Sequence, residues 1–587
     1  MRNIRFEFTC SRPVPLYAHL CDQYLKIEGL SITIGLNKFT YFIEARGDLK
    51  SLGQLADQIA QDFLLSVWLI DSQILLIDTP IGSRTPLTSS IVEQEFCQIC
   101  VPQFGDNQSP QFGDIGLTCE CCQGQTRLQE DHRYLSYADI SALVDTLLSQ
   151  KALTLPGLPA ITLSLDPGVS SSQNNLLICN PNNLNALFHL QEHHVLALSS
   201  IEKPWITARP VCNHSKLTAP LYNLHFAHNR LLIVIAERLK QKGITWVYYY
   251  SNNPVTPLAW VESGWCELKS TKQNQPIFLP FANMIEPLHD EACYSGVTAK
   301  WNKGKLSCCS DIKTLEADTF SHIDSKDAAT CALHAGSLEY SQQKNCAVLY
   351  FSQHNTNQIV TLDGKRNLEL FFSFPELPST GYDIYYQLEQ SSQRQVLEKF
   401  KHSYPQDYIR LLDLHFDKPT DNLQTLWAIA AVILGLPSKS LSKKALSDAL
   451  ISSAMSHRGV NAPRIDYPLT RGEAHRSLNW CKTLGCLMSF RLADDKEHHK
   501  LAFGMQDSLA DFIANWIEHL DQNFGIKSVI LAGDEFANQV LSQRISLRLG
   551  KNFPLKVNRQ LDIDGNNLAI GALYLNKRRS KTQGARR

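Results

Sequence analysis

Two Cys-x2-Cys pairs, Cys97/Cys100 and Cys119/Cys122, stand 18 residues apart, and nothing else in the chain restricts its folding as tightly. Each pair can bring two thiolates to one tetrahedral ion, so the array predicts a four-sulfur zinc site. A closed site of this kind has no open coordination position, so its expected role is to hold a fold together. Cys121 stands beside Cys122 and offers a competing sulfur. The chain holds 17 cysteines, an odd number, and begins Met1-Arg2-Asn3-Ile4-Arg5 before the alternating Phe6-Glu7-Phe8, with no apolar signal-like run. A cytoplasmic, reducing compartment is therefore expected, where paired CxxC motifs read as metal ligands and not as disulfides.

At 587 residues the chain exceeds the ~250–300 residues at which single cores stop growing, so three or four domains are expected. Its 56 basic and 57 acidic residues nearly cancel. That balance argues against a nucleic-acid surface or a membrane surface. The longest apolar run, Leu426 to Leu436, is about half the ~20 residues needed to span a bilayer and reads as a buried helix. The exception to the even charge is the end, Lys577-Arg578-Arg579-Ser580-Lys581 with Arg586-Arg587, read as a solvated tail.

Residues 1–80 read as β-α-β-β-α-β, a split-βαβ unit. The strands fall at Arg5–Thr9, Leu30–Leu36, Thr40–Ala45 and within Val67–Ile77. The helices fall at Val14–Glu28, closed by Gly29, and at Asp48–Phe63. From Asp131 to about Lys269, helical stretches (Ala138–Ser149, Ala227–Gln241) alternate with apolar runs (Val195–Leu198, Trp246–Tyr250), as in an α/β domain. Thr271 to His334 is poor in pattern and is expected to hold a boundary. Beyond it, Ala347–Phe351, Gln358–Leu362 and Leu368–Phe372 read as strands, with a hairpin turn at Asp363-Gly364. Ser528–Ala532 reads as a buried strand running into Gly533, followed by a helix from Phe536 to Leu549.

The cysteine spacing, placed after a split-βαβ unit of this size, resembles the [NiFe]-hydrogenase maturation factor HypF family. Val529-Ile530-Leu531-Ala532-Gly533-Asp534-Glu535-Phe536-Ala537-Asn538 resembles that family's strand–"SGGVFQN"–helix segment. Asp564-Gly565-Asn566-Asn567-Leu568-Ala569-Ile570-Gly571 resembles its "NDGGIALGQ" segment. The resemblance implies a multidomain α/β and α+β protein. Its parts would be an acylphosphatase-like domain (1–80), a HypF-type zinc finger (90–128), a degenerate YrdC-like α/β domain (131–325), a two-lobed ASKHA-type carbamoyltransferase domain (330–576) and a basic tail (577–587). It implies zinc held by Cys97, Cys100, Cys119 and Cys122, and ATP held near Gly533, Asn538 and Asp564. It also implies a HypE-like partner, whose C-terminal cysteine would accept a carbamoyl group destined for the cyanide ligands of a hydrogenase.

Departures from the family pattern fall on the chemistry. The acylphosphatase loop reads Thr9-Cys10-Ser11-Arg12-Pro13-Val14: Arg12 keeps the family's arginine and Asn37 takes its asparagine, but the glycines that shape an anion nest are gone. One finger is present where the family has two, since no cysteine lies between Cys122 and Cys179. In the YrdC-like region, Ile201-Glu202-Lys203-Pro204 and Leu224-His225-Phe226 stand where family segments fall. The family's "HHHAH" metal cluster is replaced by Ala332-Leu333-His334-Ala335-Gly336, so its ligand positions carry Ala332 and Gly336. The "DGTGYG…WGGE" segment is replaced by Ser352-Gln353-His354-Asn355-Thr356-Asn357. Asp534 replaces a glycine where phosphates would lie, an unfavourable charge without an intervening metal.

Other constellations read as structural. His193-His194 and His498-His499 are adjacent pairs expected at the surface, since neighbours on a helix do not face one ion. His225 and His228, three apart, could share a helical face. Two functions follow: a carbamoyltransferase of hydrogenase maturation, or a catalytically degenerate HypF paralogue that serves as a zinc-binding interaction scaffold. A tRNA-modifying role rests on superfamily analogy alone.

Overall fold

Alternation of apolar residues builds the first domain. Strands β1 (Arg2–Cys10), β2 (Ser31–Asn37), β3 (Thr40–Gly47) and β4 (Leu69–Leu76) form an antiparallel sheet in the order β2-β3-β1-β4. Phe6, Phe8, Ile34 and Ile43 point to one face, as a period of two requires. Helices α1 (Pro15–Tyr24) and α2 (Leu49–Asp62) supply Tyr17, Leu20, Leu55 and Ile59 to the same core. Asp48 caps α2, accepting from Lys50 N at 2.9 Å and Ser51 N at 3.1 Å. The first helix ends at Tyr24, earlier than the expected Glu28. Lys26 N and Ile27 N turn back to Gln23 O and Tyr24 O instead, and this tighter i→i+3 winding ends the helix.

The computed structural model describes residues 2–87, 94–124, 126, 128, 135–167, 174–211, 216–251, 256–270, 275–277, 286–294, 296–302, 304–309, 324–340, 345–365, 367–470, 476–493 and 497–576. The basic tail 577–587 lies outside them. The chain divides into two compact units, Met1–Leu258 and Ala259–Arg587. Among the described residues no helix is long and apolar enough to cross a membrane.

The first unit also holds the expected α/β domain. Seven strands, β5 (Ala152–Leu155), β6 (Leu158–Ser164), β7 (Asn175–Ile178), β8 (Phe188–His189), β9 (Ile206–Pro210), β10 (Tyr222–His225) and β11 (Trp246–Ser251), run in the order β5-β6-β11-β7-β10-β9-β8. Among the described residues β7 and β10 are the one parallel pair of this sheet; β11 is antiparallel to both β6 and β7. The helix Tyr137–Gln150 opens on a capping box of Ser136 and Asp139. Val195–Leu198, expected as an apolar run between helices, lies inside the helix Glu192–Ser199. Four apolar residues do not distinguish helix from strand. His194 of that helix is buried and caps its start through Nδ1, which accepts from Gln191 N at 3.2 Å, so it is not a surface histidine. His225 ends β10, and His228 precedes the helix Arg230–Gln241. They share no helical face.

The second unit is built on five strands in the order Leu368–Ser373, Gln358–Leu362, Cys346–Tyr350, Ser528–Ala532, Leu555–Val557. The hairpin between Gln358–Leu362 and Leu368–Ser373 is closed by Asp363 Oδ1, which accepts from Lys365 N and Asn367 N at 2.8 Å each. Both faces of this sheet are covered. Cys346, Val348, Tyr350, Ile530 and Ala532 join the helices Ala328–Glu339 and Asn566–Ala572 on one side. Ala347, Leu349, Val529 and Leu531 join the helical core on the other, where every residue of the helix Leu423–Ile433 is buried. The strands Glu291–Tyr294, Val297–Asn302 and Lys305–Cys309 pack into this unit through Ala292, Val297, Ala299, Leu306 and Cys308. The stretch expected as a single domain over 131–325 therefore spans both units.

Candidate metal centre and the carboxylate cluster of the second unit

The four cysteines of the array come together. The sulfurs of Cys97, Cys100, Cys119 and Cys122 all lie within 4.8 Å of one another. A tetrahedral ion with Zn–S bonds of ~2.3 Å needs sulfurs about 3.8 Å apart. Cys97–Cys119 is 3.7 Å and Cys100–Cys122 is 3.9 Å. Backbone amides point at the sulfurs, Cys97 N to Cys100 Sγ at 3.2 Å and Gly124 N to Cys122 Sγ at 3.3 Å. Such bonds stabilise thiolate over thiol. Gly124 cannot be replaced, because a Cβ there would meet Glu95 O at 2.4 Å and Cys122 Sγ at 3.1 Å. Cys122, and not Cys121, completes the set; the carbonyl of Cys121 is instead held by His19 Nε2 at 3.0 Å. The donor set and spacing fit a tetrahedral metal ion such as zinc, which these four residues would hold.

Arg230 fastens this finger to the α/β domain. It is fully buried at the start of the helix Arg230–Gln241. Its guanidinium donates to Glu95 O at 2.6 Å, Ile115 O at 3.1 Å and Gly124 O at 2.8 Å, and also to Leu117 O. Its planar face lies 5.2 Å from the Phe104 ring. One side chain thus ties together the segments on both sides of the metal ligands, a role the sequence reading missed. Beside Cys97 the first unit has a cavity of about 440 Å³, walled by apolar side chains such as Phe96, Val101, Phe226 and Ile233; among the described residues its charged lining is Lys203 and Glu237. That lining is unlike a phosphate cradle.

In the split-βαβ domain the expected anion loop is already hydrogen-bonded to the protein. Cys10 N donates to Phe39 O (3.1 Å), Ser11 N to Trp68 O (2.8 Å) and Val14 N to Tyr41 Oη (2.9 Å). Pro13 has no amide hydrogen to offer. The Arg12 guanidinium lies over the Trp68 ring at 3.7 Å. Asn37 is exposed at the end of β2.

The second unit gathers acids where the resemblance places nucleotide and metal. Asp564 is buried, and both its oxygens are claimed: Tyr350 Oη donates to Oδ1 at 2.5 Å and Ser352 Oγ to Oδ2 at 2.7 Å. Asn355 Nδ2 donates to Tyr350 Oη at 2.8 Å, fixing the direction of the phenol proton. Burial, reinforced by the charge of Asp534, holds the Asp564 carboxyl well above the usual range. Ala332 and Gly336 are buried in the helix Ala328–Glu339. A Cβ on Gly336 would meet Ile530 at 2.7 Å, and one on Gly571 would meet Cys331 O at 1.9 Å. The residues present do not fit a metal here. The positions that the resemblance assigns to metal ligands carry Ala332 and Gly336, and the carboxylate is satisfied by hydroxyls.

Gly533 and Asn538 each have a structural task. Gly533 adopts φ +100°, and a Cβ there would meet Phe351 O at 2.1 Å. Asn538 caps the helix Gln539–Leu549 through Leu541 N at 3.3 Å. Between them sits Glu535, fully buried, where the family segment has valine. Trp427 Nε1 donates to its Oε1 at 2.8 Å, and Oε2 has no partner. Burial pushes its pKa up to about 7. An acid whose folded pKa exceeds its unfolded value contributes full stability below the unfolded value and loses it as pH rises through the folded one. Stability of this unit is therefore expected to fall between pH ~4.5 and ~7, by at most on the order of 3 kcal/mol from this group. Glu535→Gln, which cannot ionise, should flatten that slope in urea titrations followed by tryptophan fluorescence. An unchanged slope would remove Glu535 from the account.

Residues 448–572 match the family described as carbamoyltransferase, Kae1-like domain, second subdomain. Protein HydE of Wolinella succinogenes is 28% identical over 239 residues, covering 40% of this chain and 41% of that protein. The alignment thus spans about two fifths of that curated relative's length. Two solved structures share the fold over 98% of both chains at 10% identity. They are full-length HypF in its phosphate- and nucleotide-bound form, with a TM-score of 0.61, and T. kodakarensis HypF, with a TM-score of 0.58.

Proposed function

We propose that this chain, HypF-like in fold and carrying the second subdomain of a carbamoyltransferase, serves hydrogenase maturation as a zinc-braced interaction scaffold and does not itself transfer carbamoyl groups. The observation that carries this reading is Asp564, whose two oxygens are taken by Tyr350 and Ser352, while the positions that the resemblance assigns to metal ligands carry Ala332 and Gly336. The internally bonded loop around Arg12 supports it independently, since an acylphosphatase needs free amides to hold phosphate. Asp534 adds to it by placing a carboxylate beside Asp564 where phosphate charge would accumulate. The competing reading, an ATP-dependent carbamoyltransferase, is favoured by the match over residues 448–572. In either reading the protein works in the cytoplasm beside a HypE-like partner.

The scaffold role makes a specific demand on complex formation. The zinc-loaded chain should co-elute with a HypE-like maturation protein in size-exclusion chromatography, and Asp564→Asn should co-elute equally well. If no complex forms, the scaffold assignment fails. If a complex forms only with Asp564 intact, the cluster has a role in recognition that this reading omits.

A further inference from the structure

We infer that the cavity beside Cys97 is a ligand site, taking a small molecule with an apolar body, one carboxylate for Lys203 and one N–H or O–H donor for Gln94. Its volume of about 440 Å³ is that of a small-molecule pocket. The whole lining belongs to the first unit, so the site stands whether or not the second unit transfers carbamoyl groups. Its walls are apolar or small. The finger supplies Val101 and Gly105, the end of β7 supplies Ile178, and the helix Arg230–Gln241 supplies Ile233 and Ala236. Folded interiors keep few voids larger than a water molecule, and an alanine at position 236 leaves this one open where a longer side chain would fill it.

Two polar groups of this lining lack full partners. The Lys203 amine donates to Ser199 O at 2.8 Å, and among the described residues it makes no ion pair. Its chain neighbour Glu202 is engaged elsewhere, accepting from Ser66 Oγ at 2.5 Å and Val67 N at 3.0 Å. Burial brings the Lys203 amine down to about 8, as for a cation short of a counter-charge. Gln94 Oε1 is buried without a donor, a costly arrangement that a ligand N–H or O–H would relieve. Lys203 also has φ +46° and stands directly before Pro204. Few residues with a Cβ adopt that conformation, and such strain concentrates at ligand sites.

These groups select the ligand. The acid of the lining, Glu237, is already paired: Asn107 Nδ2 donates to Oε1 at 2.9 Å and Lys240 Nζ to Oε2 at 2.9 Å. An entering anion therefore meets Lys203 as the uncompensated charge. One amine answers the single charge of a carboxylate. A phosphate group brings more charge and is usually held by several amides or a guanidinium. The apolar walls bind the rest of the molecule by burial, so the class is that of aryl, indole or N-acyl carboxylates.

The test uses the zinc-loaded full chain and the fluorescent probe 8-anilinonaphthalene-1-sulfonate, which joins an apolar body to one anion and one N–H. The probe should saturate a single site. Indole-3-acetate should displace it, whereas indole-3-acetamide and inorganic phosphate should not. Lys203→Met removes the charge and Ala236→Leu fills the cavity; each should weaken binding about tenfold while zinc content stays unchanged. Gln94→Leu should weaken indole-3-acetate and leave 1-naphthylacetate, which has no N–H, unaffected. Probe binding that never saturates, or that is equally tight in Lys203→Met and Ala236→Leu, overturns the inference. Displacement by phosphate as strong as by the carboxylate overturns the ligand class, and equal loss of both carboxylates in Gln94→Leu overturns the role of Gln94.

Discussion

Cys97→Ser is expected to take zinc from close to one ion per chain to near zero and to leave residues 94–124 without a stable fold. Apart from the Arg230 clasp, this segment is held by few apolar contacts: Phe104, Ile115 and the cysteines are buried in the core, with Phe96, Val101, Phe112 and Leu117 partly buried against it. Structural zinc in small modules contributes on the order of 10–16 kcal/mol of apparent binding free energy, which is folding free energy for the segment it organises. Serine keeps the shape but removes the thiolate that shapes the 3.7 Å contact with Cys119. The measurements are elemental analysis and hydrogen exchange over 94–124. A wild-type chain without zinc, or a Cys97→Ser chain with normal protection there, would contradict the metal assignment.

Arg230→Met is expected to destabilise the first unit by about 3–5 kcal/mol, the usual cost of breaking a buried charged network from one side. Methionine fills much of the space but leaves the carbonyls of Glu95, Ile115, Leu117 and Gly124 without their donor. Arg230→Lys should rescue little, because one ammonium cannot span four carbonyls arranged around a planar fork. The ligands are untouched, so zinc should still bind stoichiometrically but pass faster to a chelator. Urea unfolding and zinc-release kinetics give the two readouts. A midpoint within error of the wild type would remove Arg230 from its role as the clasp.

What could be read from the sequence was what is encoded locally. Cysteine spacing is a property of one short stretch, and it picked out the four cysteines that the fold brings together. Period-two and period-3.6 patterns located the first domain and the sheet of the second unit. The misplaced elements were those whose local signal was ambiguous, as with Val195–Leu198, which is too short to declare its period. Arg230 left a trace that was overlooked: a cation in the first turn of a helix opposes the helix dipole, and that anomaly needs partners elsewhere. The clasp on Asp564 left no such trace. Tyr350 and Ser352 lie 214 and 212 residues away, and only the folded sheet brings them to that carboxyl. Gly533 was found for its place in a phosphate-loop-like segment. Its backbone conformation and its approach to Phe351 O give it a packing reason as well.

The central claim is that the second unit has kept a carbamoyltransferase shell and lost its chemistry. Carbamoyl-phosphate-dependent ATP cleavage by the zinc-loaded full-length chain tests it most directly. The account predicts turnover no higher than that of Asp564→Asn, measured with and without added divalent metal. Robust turnover that vanishes in Asp564→Asn would contradict it and return the protein to the carbamoyltransferases.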